Sequence, residues 1–315
     1  MNRRYFFFGG LSTVAVSCNK VVRETSATVS IIKAASYSVE LASLIKNILL
    51  EHHIEVSGKN VLLKPNLVEF SPEAPINTNP AFVAAAAEAF HSLGAANVRI
   101  AEGPGHRRMT LDMAEAAGFF NAIARFESRF TDLNLDEVTK TDFKHPFSTL
   151  SSLYLPHTVL GADLLVSLPK MKTHHWAGAT LSMKNLFGVV PGAIYGWPKN
   201  VLHWAGIDEC VADLHAIFPN QFCLVDGIEA MEGNGPILGT RKHMGLIVAG
   251  THPPSVDAAC CQIMKIDPKK VRYLTLAAST TRLNIYQPKQ IGEDIQSVSA
   301  KFALYPDLEN KYRLS

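Results

Sequence analysis

NVLLKPN (60–66), NPAFVAAAAEAFHSLGA (79–95) and NVRIAEGPG (97–105) decide the fold. The first and third are short runs of aliphatic residues. The middle one repeats apolar residues at helical spacing, opens at Asn79-Pro80 and stops at Gly94. Strand, helix, strand at this spacing calls for a right-handed crossover and a parallel sheet. Working outward, VSIIKAA (29–35) reads as a strand and SVELASLIKNILLEHH (38–53) as an amphipathic helix. MTLDMAEAAGFFNAIARF (109–126) is expected to be helical throughout, and ADLLVSLPK (162–170) to be a buried strand. Further on, a helix over 203–218, a strand at QFCLVDG (221–227), a loop over 228–242 and a strand at MGLIVAG (244–250) are predicted. SVDAACCQIMKI (255–266) and PKKVRYLTLAAS (268–279) read as two closing helices. The fold class is therefore α/β, with mostly parallel sheets and flanking helices. It is expected as two lobes with a cleft, the lobe boundary near 145–162, in a domain over 27–315 that follows a leader and linker over 1–26.

Composition bounds what such a domain does. With 315 residues, 47% of them hydrophobic, and a net charge of +2, the chain can bury a real core and is not disordered. Both signs of charge are spread along it, so it lacks the basic stripe that nucleic-acid binding needs. NRRYFFFGGLSTVAVSC (2–18) resembles a twin-arginine export signal, with Arg3-Arg4 ahead of an apolar run too short to span a bilayer comfortably. Ala15-Val16-Ser17-Cys18 resembles a lipobox. These features imply the twin-arginine machinery as a partner and an exported protein, periplasmic or held by a lipid on Cys18, with membrane contact only through the signal or that lipid. Cys210, Cys223, Cys260 and Cys261 lack C-x-x-C spacing, so neither a zinc ribbon nor an iron–sulfur cluster is expected.

Chemistry concentrates in PKMKTHHWAGATLSMKNLFGVVPG (169–192), where Lys170, Lys172, His174, His175 and Lys184 stand with no carboxylate among them. An incoming anion, a cofactor phosphate or a metal would satisfy such a cluster, and so would distant acids. Other predicted strand ends present Lys64 with Asn66, Glu102 with His106, and Asp226 with Glu229 and Glu232. In a parallel sheet these ends share one edge, so the groups meet in one cleft. GPGHRRMT (103–110) adds a glycine turn carrying His106 and Arg107 to a helix start, where anions are favoured. The expected anion-holding set is Lys64, Asn66, Arg107, Lys170, Lys172 and Asn185. His106, His174 and Lys184 are the expected catalytic groups, suited to removing a proton from carbon next to a carboxylate. Asp226, Glu229 and Glu232, with His203, form a candidate divalent-metal set, the alternative being pairing of the acids with lysines. Asp257 reads as a cap for its own helix.

VLLKPNLV, AEGPG, LPKMKTHHWAGATLSMKNLFGVVPG, LVDGIEAMEGNGP and VDAACCQIM, in this order, resemble the DUF362 family over most of 29–280. A more distant similarity is to the nickel-pincer lactate racemases. It places His106 (GHRRMT) and His174 (THHWAG) as the catalytic histidines. The lysine ten residues on, Lys184, becomes the covalent anchor of a pyridinium-derived nickel nucleotide, and His203 (NVLH) a metal ligand. The racemases' early acidic and arginine-bearing phosphate motif is not seen, and KPNLVEF stands near its place. The resemblance implies a racemase or epimerase of a small carboxylate or phosphate compound. A metal-dependent hydrolase or transferase centred on the acids, and a non-catalytic exported anion-binding protein, stay open as alternatives.

Overall fold

The computed structural model describes residues 26–313. The expected export signal and the expected lipidation at Cys18 fall outside these residues. Strands β1 (Thr28–Lys33), β2 (Asn60–Pro65), β3 (Asn97–Glu102) and β4 (Phe130–Asp132) alternate with helices α1 (Leu41–Glu51) and α2 (Pro80–Ser92). Asn79 accepts a hydrogen bond from Ala81 N at 2.9 Å and Pro80 opens α2, as the sequence signals. The expected helix over 109–126 is instead three short pieces, Thr110–Ala116, Phe119–Ala122 and Phe126–Arg129. Gly118 (φ 86°) and Arg125 (φ 55°) break it in left-handed conformations.

β5 (Val138–Asp142) and β6 (Ser152–Pro156) form a separate two-stranded sheet within 138–156, a less regular part of the sequence pattern. β7 (Leu164–Leu168) then returns to the main sheet between β2 and β10 (Gln221–Asn234), parallel to both, so residues on either side of 145–162 share one sheet. Its order is β12-β1-β11-β10-β7-β2-β3-β4, where β11 is Leu238–Gly250 and β12 Lys289–Gly292. β8 (Lys170–His174) branches from β10 and pairs with β9 (Gly178–Thr180). Pro169 divides the predicted 162–170 strand between β7 and β8.

Alternation of side chains along these strands divides the core into two layers. Val61, Leu63, Leu164, Val166, Phe222 and Leu224 face α1 and α2, while Leu62, Leu165, Cys223 and Val225 face the other side. That second layer is covered by α3 (Ser182–Asn185), α4 (Asn200–Trp204), α5 (Ile207–Ile217) and α6 (Pro253–Ile263). The predicted 203–218 helix is two helices, because Gly206 (φ 105°) separates α4 from α5. The predicted 228–242 loop is a hairpin: β10 and β11 pair from Glu229↔His243 to Asn234↔Leu238 beyond an irregularity at Gly227. Among the described residues no helix is long and apolar enough to cross a membrane.

Candidate functional site

The carboxyl ends of β2 and β3, strand β8, helices α3 and α4 and the tip of the β10–β11 hairpin enclose a cavity of about 820 Å³. Lys64, Lys172, Lys184, Lys199, His106, His174, His175 and His203 all line it. The α/β topology thus collects strand-end groups from distant sequence, as open parallel sheets do.

Counting N–H donors separates the four lysines, since an ammonium has three. Lys64 uses all of its donors: it forms a buried ion pair with Glu102 and donates to Pro65 O at 2.8 Å and Asn185 Oδ1 at 3.2 Å. Glu102 also accepts from Leu67 N at 3.2 Å and Gly103 N at 3.0 Å, so the pair is an internally neutral floor. Gly188 lets the neighbouring turn approach that floor, because a Cβ there would collide with Glu102 Oε1 and Lys64 Nζ. Lys172 has no carboxylate; its ammonium donates to Ile76 O at 2.7 Å and Pro236 O at 3.1 Å. Lys199, 2% exposed and in a left-handed conformation, donates to Gly103 O at 2.7 Å and Phe187 O at 2.5 Å. Lys184 has neither a hydrogen bond nor an ion pair among the described residues; its Nζ rests 3.8 Å from the Phe187 ring centroid.

Burial without a counter-ion disfavours the charged amine. It brings Lys184 down to about 7 against the pull of Asp208, brings Lys199 down to about 7 against that of Glu102, and holds Lys172 well below the usual lysine range; neighbouring lysines push each further down. A bound anion would reverse this effect. Lys172, Lys184 and Lys199 are therefore the cations left to be neutralised.

Hydrogen bonding fixes the imidazole tautomers. His174 Nδ1 accepts from Trp176 N at 3.1 Å and Ala177 N at 3.2 Å, so the proton of the neutral ring sits on Nε2. Burial, then the nearby Lys184, keeps this ring neutral by lowering its pKa well below the ordinary histidine value. His174 is a fixed donor. His203 and His175 have the opposite form: Nδ1–H donates to Lys199 O at 3.1 Å and to Gly235 O at 2.7 Å respectively, which leaves each Nε2 as a lone pair. His203 is also held edge-on by Trp176, with ring centroids 5.3 Å apart.

Two buried polar atoms of the lining have no partner, Asn66 Oδ1 and Thr180 Oγ1. Asn185 Nδ2 donates to Lys64 O at 3.0 Å, so Asn185 Oδ1 must accept from Asn66 Nδ2, and the orphan on Asn66 is an acceptor. Buried orphans at a cavity wall are satisfied by what the cavity holds.

Several sequence expectations are corrected. Lys170 and Asp226 form a buried ion pair at 2.5 Å, with Tyr37 donating to Asp226 Oδ1 at 2.8 Å, and neither residue lines the cavity. Glu229 pairs with His243 at 2.7 Å and Glu232 with Lys242 at 2.9 Å on the hairpin. Asp226, Glu229 and Glu232 do not assemble with His203, and no cluster of three metal-ligating side chains occurs among the described residues. Arg107 is exposed and outside the cavity. Asp257 caps α3 rather than its own helix, accepting from Ser182 N at 2.8 Å and Met183 N at 2.9 Å. His175 both ties down Gly235 and lines the cavity. Lys199 escaped sequence reading altogether, because its ligands are backbone carbonyls remote from it in sequence.

The residues present fit the lysine-anchored nickel nucleotide that the racemase resemblance implies. Lys184 offers an unpartnered amine and His203 an oriented lone pair in the same cavity. No third histidine, cysteine or carboxylate side chain joins them in a metal-ligating cluster among the described residues, so His203 would be the ligand that the chain itself adds to such a group.

Fold and site together define an α/β protein with a cation-lined cavity at the carboxyl edge of its sheet. The profile described as "Domain of unknown function (DUF362)" matches residues 61–262, and the chain belongs to this family. The thylakoid-associated protein sll1697 of Synechocystis is 29% identical over 223 residues, covering 68% of this chain and 65% of that protein. The chain thus spans just under two thirds of the length of this relative. Among solved structures, the lactate racemase apoprotein of Thermoanaerobacterium thermosaccharolyticum aligns with a TM-score of 0.44 at 14% identity, over 77% of this chain and 58% of that one. A Thermotoga maritima structural-genomics target aligns with a TM-score of 0.40 at 10% identity, over 79% and 60%.

Proposed function

We propose that the cavity is an active site that binds a small carboxylate or phosphate compound and moves a proton at a carbon beside a carboxylate or carbonyl group of it. The observation that carries this reading is the convergence of three lysines lacking a carboxylate with one donor and two acceptor imidazoles. Lys172 and Lys199 hold the anion. The neutral amine that Lys184 offers near pH 7 takes the proton, and the electron pair left on carbon passes to the adjacent oxygen. There the His174 Nε2–H donates to the developing negative charge. Return of a proton from His106 to the other face gives the epimer, so racemisation or epimerisation is the specific reaction proposed.

The unpartnered Lys184 amine and the oriented His203 also favour a second reading, in which Lys184 anchors the nickel nucleotide and His203 ligates its metal. That group would supply an electrophilic centre for oxidation and reduction at a carbinol carbon. In this version Lys172 and Lys199 still bind the anion and His174 still donates to its oxygen.

The intact mass of protein from its native host separates the two readings: an unmodified chain supports Lys184 as base, an adduct on Lys184 supports the anchor. Proton NMR in D2O with a panel of 2-hydroxy acids and sugar phosphates tests the chemistry. Exchange of the hydrogen on the carbon beside the acid group is expected with wild type and is expected to fall at least a hundredfold in Lys184→Met. No exchange with any member of the panel, or exchange unaffected by Lys184→Met, would sink the proton-transfer reading.

A further inference from the structure

The cavity changes character between floor and mouth. The lysines of the floor are buried, Lys64 and Lys172 at 0% exposure and Lys199 at 2%, whereas Trp176, Leu238 and Tyr305 line the same cavity at 56%, 75% and 37%. Ile237 stands beside Leu238, partly buried. Large apolar side chains gathered at a pocket mouth lose contact with water only when something apolar covers them.

This wall is held in place. The hairpin tip bearing Ile237 and Leu238 is tied to the β8–β9 turn bearing Trp176. Gly235 O accepts from both His175 N at 3.0 Å and His175 Nδ1 at 2.7 Å, and Gly233 O accepts from Thr173 Oγ1 at 2.9 Å. Tyr312 Oη donates to Trp176 O at 3.2 Å on the other side of that turn.

Charge and size then describe the occupant. Lys184 has three free N–H donors and Lys172 and Lys199 one each, by the count above. A single carboxylate brings one negative charge and two oxygens to these donors, whereas a phosphate monoester brings about two negative charges and three terminal oxygens. A cavity of about 820 Å³ is also far larger than a bare phosphate or a three-carbon acid fills.

We propose that the ligand of this site is an amphiphile: a phosphate monoester whose head lies on Lys172 and Lys199, beside the Lys184 amine, and whose apolar group lies against Trp176, Ile237, Leu238 and Tyr305. This rests on the anion-binding part of the proposed function and is independent of its chemistry.

Calorimetric titration of the full chain at pH 7 with methyl phosphate and with decyl phosphate, the latter kept below its micelle concentration, tests it. Decyl phosphate is expected to bind at least tenfold more tightly than methyl phosphate. The double variant Trp176→Ala, Leu238→Ser, altered only at exposed positions, is expected to abolish that ratio. Lys199→Met is expected to weaken both ligands about tenfold while keeping the ratio. Equal affinities for the two phosphates, or a ratio that survives the double variant, would overturn the amphiphile while leaving the anion site standing. If neither phosphate binds, the anion-binding reading itself fails and the inference with it.

Discussion

His174 joins backbone structure to chemistry through a single ring. Its Nδ1 caps the β8–β9 turn by taking two backbone N–H groups, and this alone places a proton on the nitrogen that faces the cavity. The two jobs are separable by substitution. His174→Asn keeps an acceptor near the Nδ1 position; it is expected to fold close to wild type and to lose about a hundredfold or more in turnover, the scale of a lost donor at a developing oxyanion. His174→Phe leaves both N–H groups unpaired and is expected to lose about 2–4 kcal/mol of stability in urea unfolding. Equal stability of the two variants would refute the assignment. His174 and Lys184 were legible in the sequence through their ten-residue step. Their protonation was not, because it depends on backbone groups and on burial that no residue pattern displays. Lys199 was illegible for the same reason: its role comes from the carbonyls of Gly103 and Phe187.

Among the elements, α3 is four residues long and cannot hold itself together in isolation, yet it carries Lys184 and Asn185. Asp257 of α6 supplies the missing restraint by accepting from the first two N–H groups of α3 while fully buried. Burial raises its carboxyl to about 7 against the pull of those same donors. Asp257→Ala is expected to cost about 2–4 kcal/mol in denaturant unfolding and to weaken anion binding several-fold, although Asp257 does not line the cavity. Asp257→Asn, which retains one acceptor, is expected to show roughly half the stability loss. A stability loss with unchanged anion affinity would show that α3 does not need this restraint. Elements with a buried run or a clean helical period, such as β2, α2 and β7, could be read directly. The far half of the β10–β11 hairpin could not, because Glu229, Glu232 and Asn234 have loop-like side chains while their backbone pairs across the ladder. The pairing of Lys170 with Asp226 follows from their facing positions in β8 and β10, a register that exists only once the sheet is known.

For the whole molecule, the unneutralised cations predict a pH dependence. Lys184 and Lys199 titrate at about 7 when folded, against about 10.4 in an unfolded chain, so above pH 7 the unfolded state binds more protons. The contribution of these lysines to stability therefore rises with pH above 7 and is lost as pH falls through their folded value. The buried Cys223, Cys260 and Cys261, whose thiols are pushed up, oppose the rise once unfolded cysteines begin to ionise. The clean window thus runs from pH 7 to about 8.5. Across it the melting temperature of the ligand-free protein is expected to climb, and the double variant Lys184→Met, Lys199→Met is expected to flatten the climb. A parallel climb in that variant would place its source elsewhere.

The seat of β1 between β11 and β12 has a consequence for the order in which the protein comes into being. Ser30 pairs with Ala249 and Thr28 with Lys289, so β1 stays without either neighbour until more than two hundred further residues have been made. Contacts closed over such distances form late. The place of β1 in the sheet is therefore filled long after β1 itself has been made, once β11 and β12 exist to flank it.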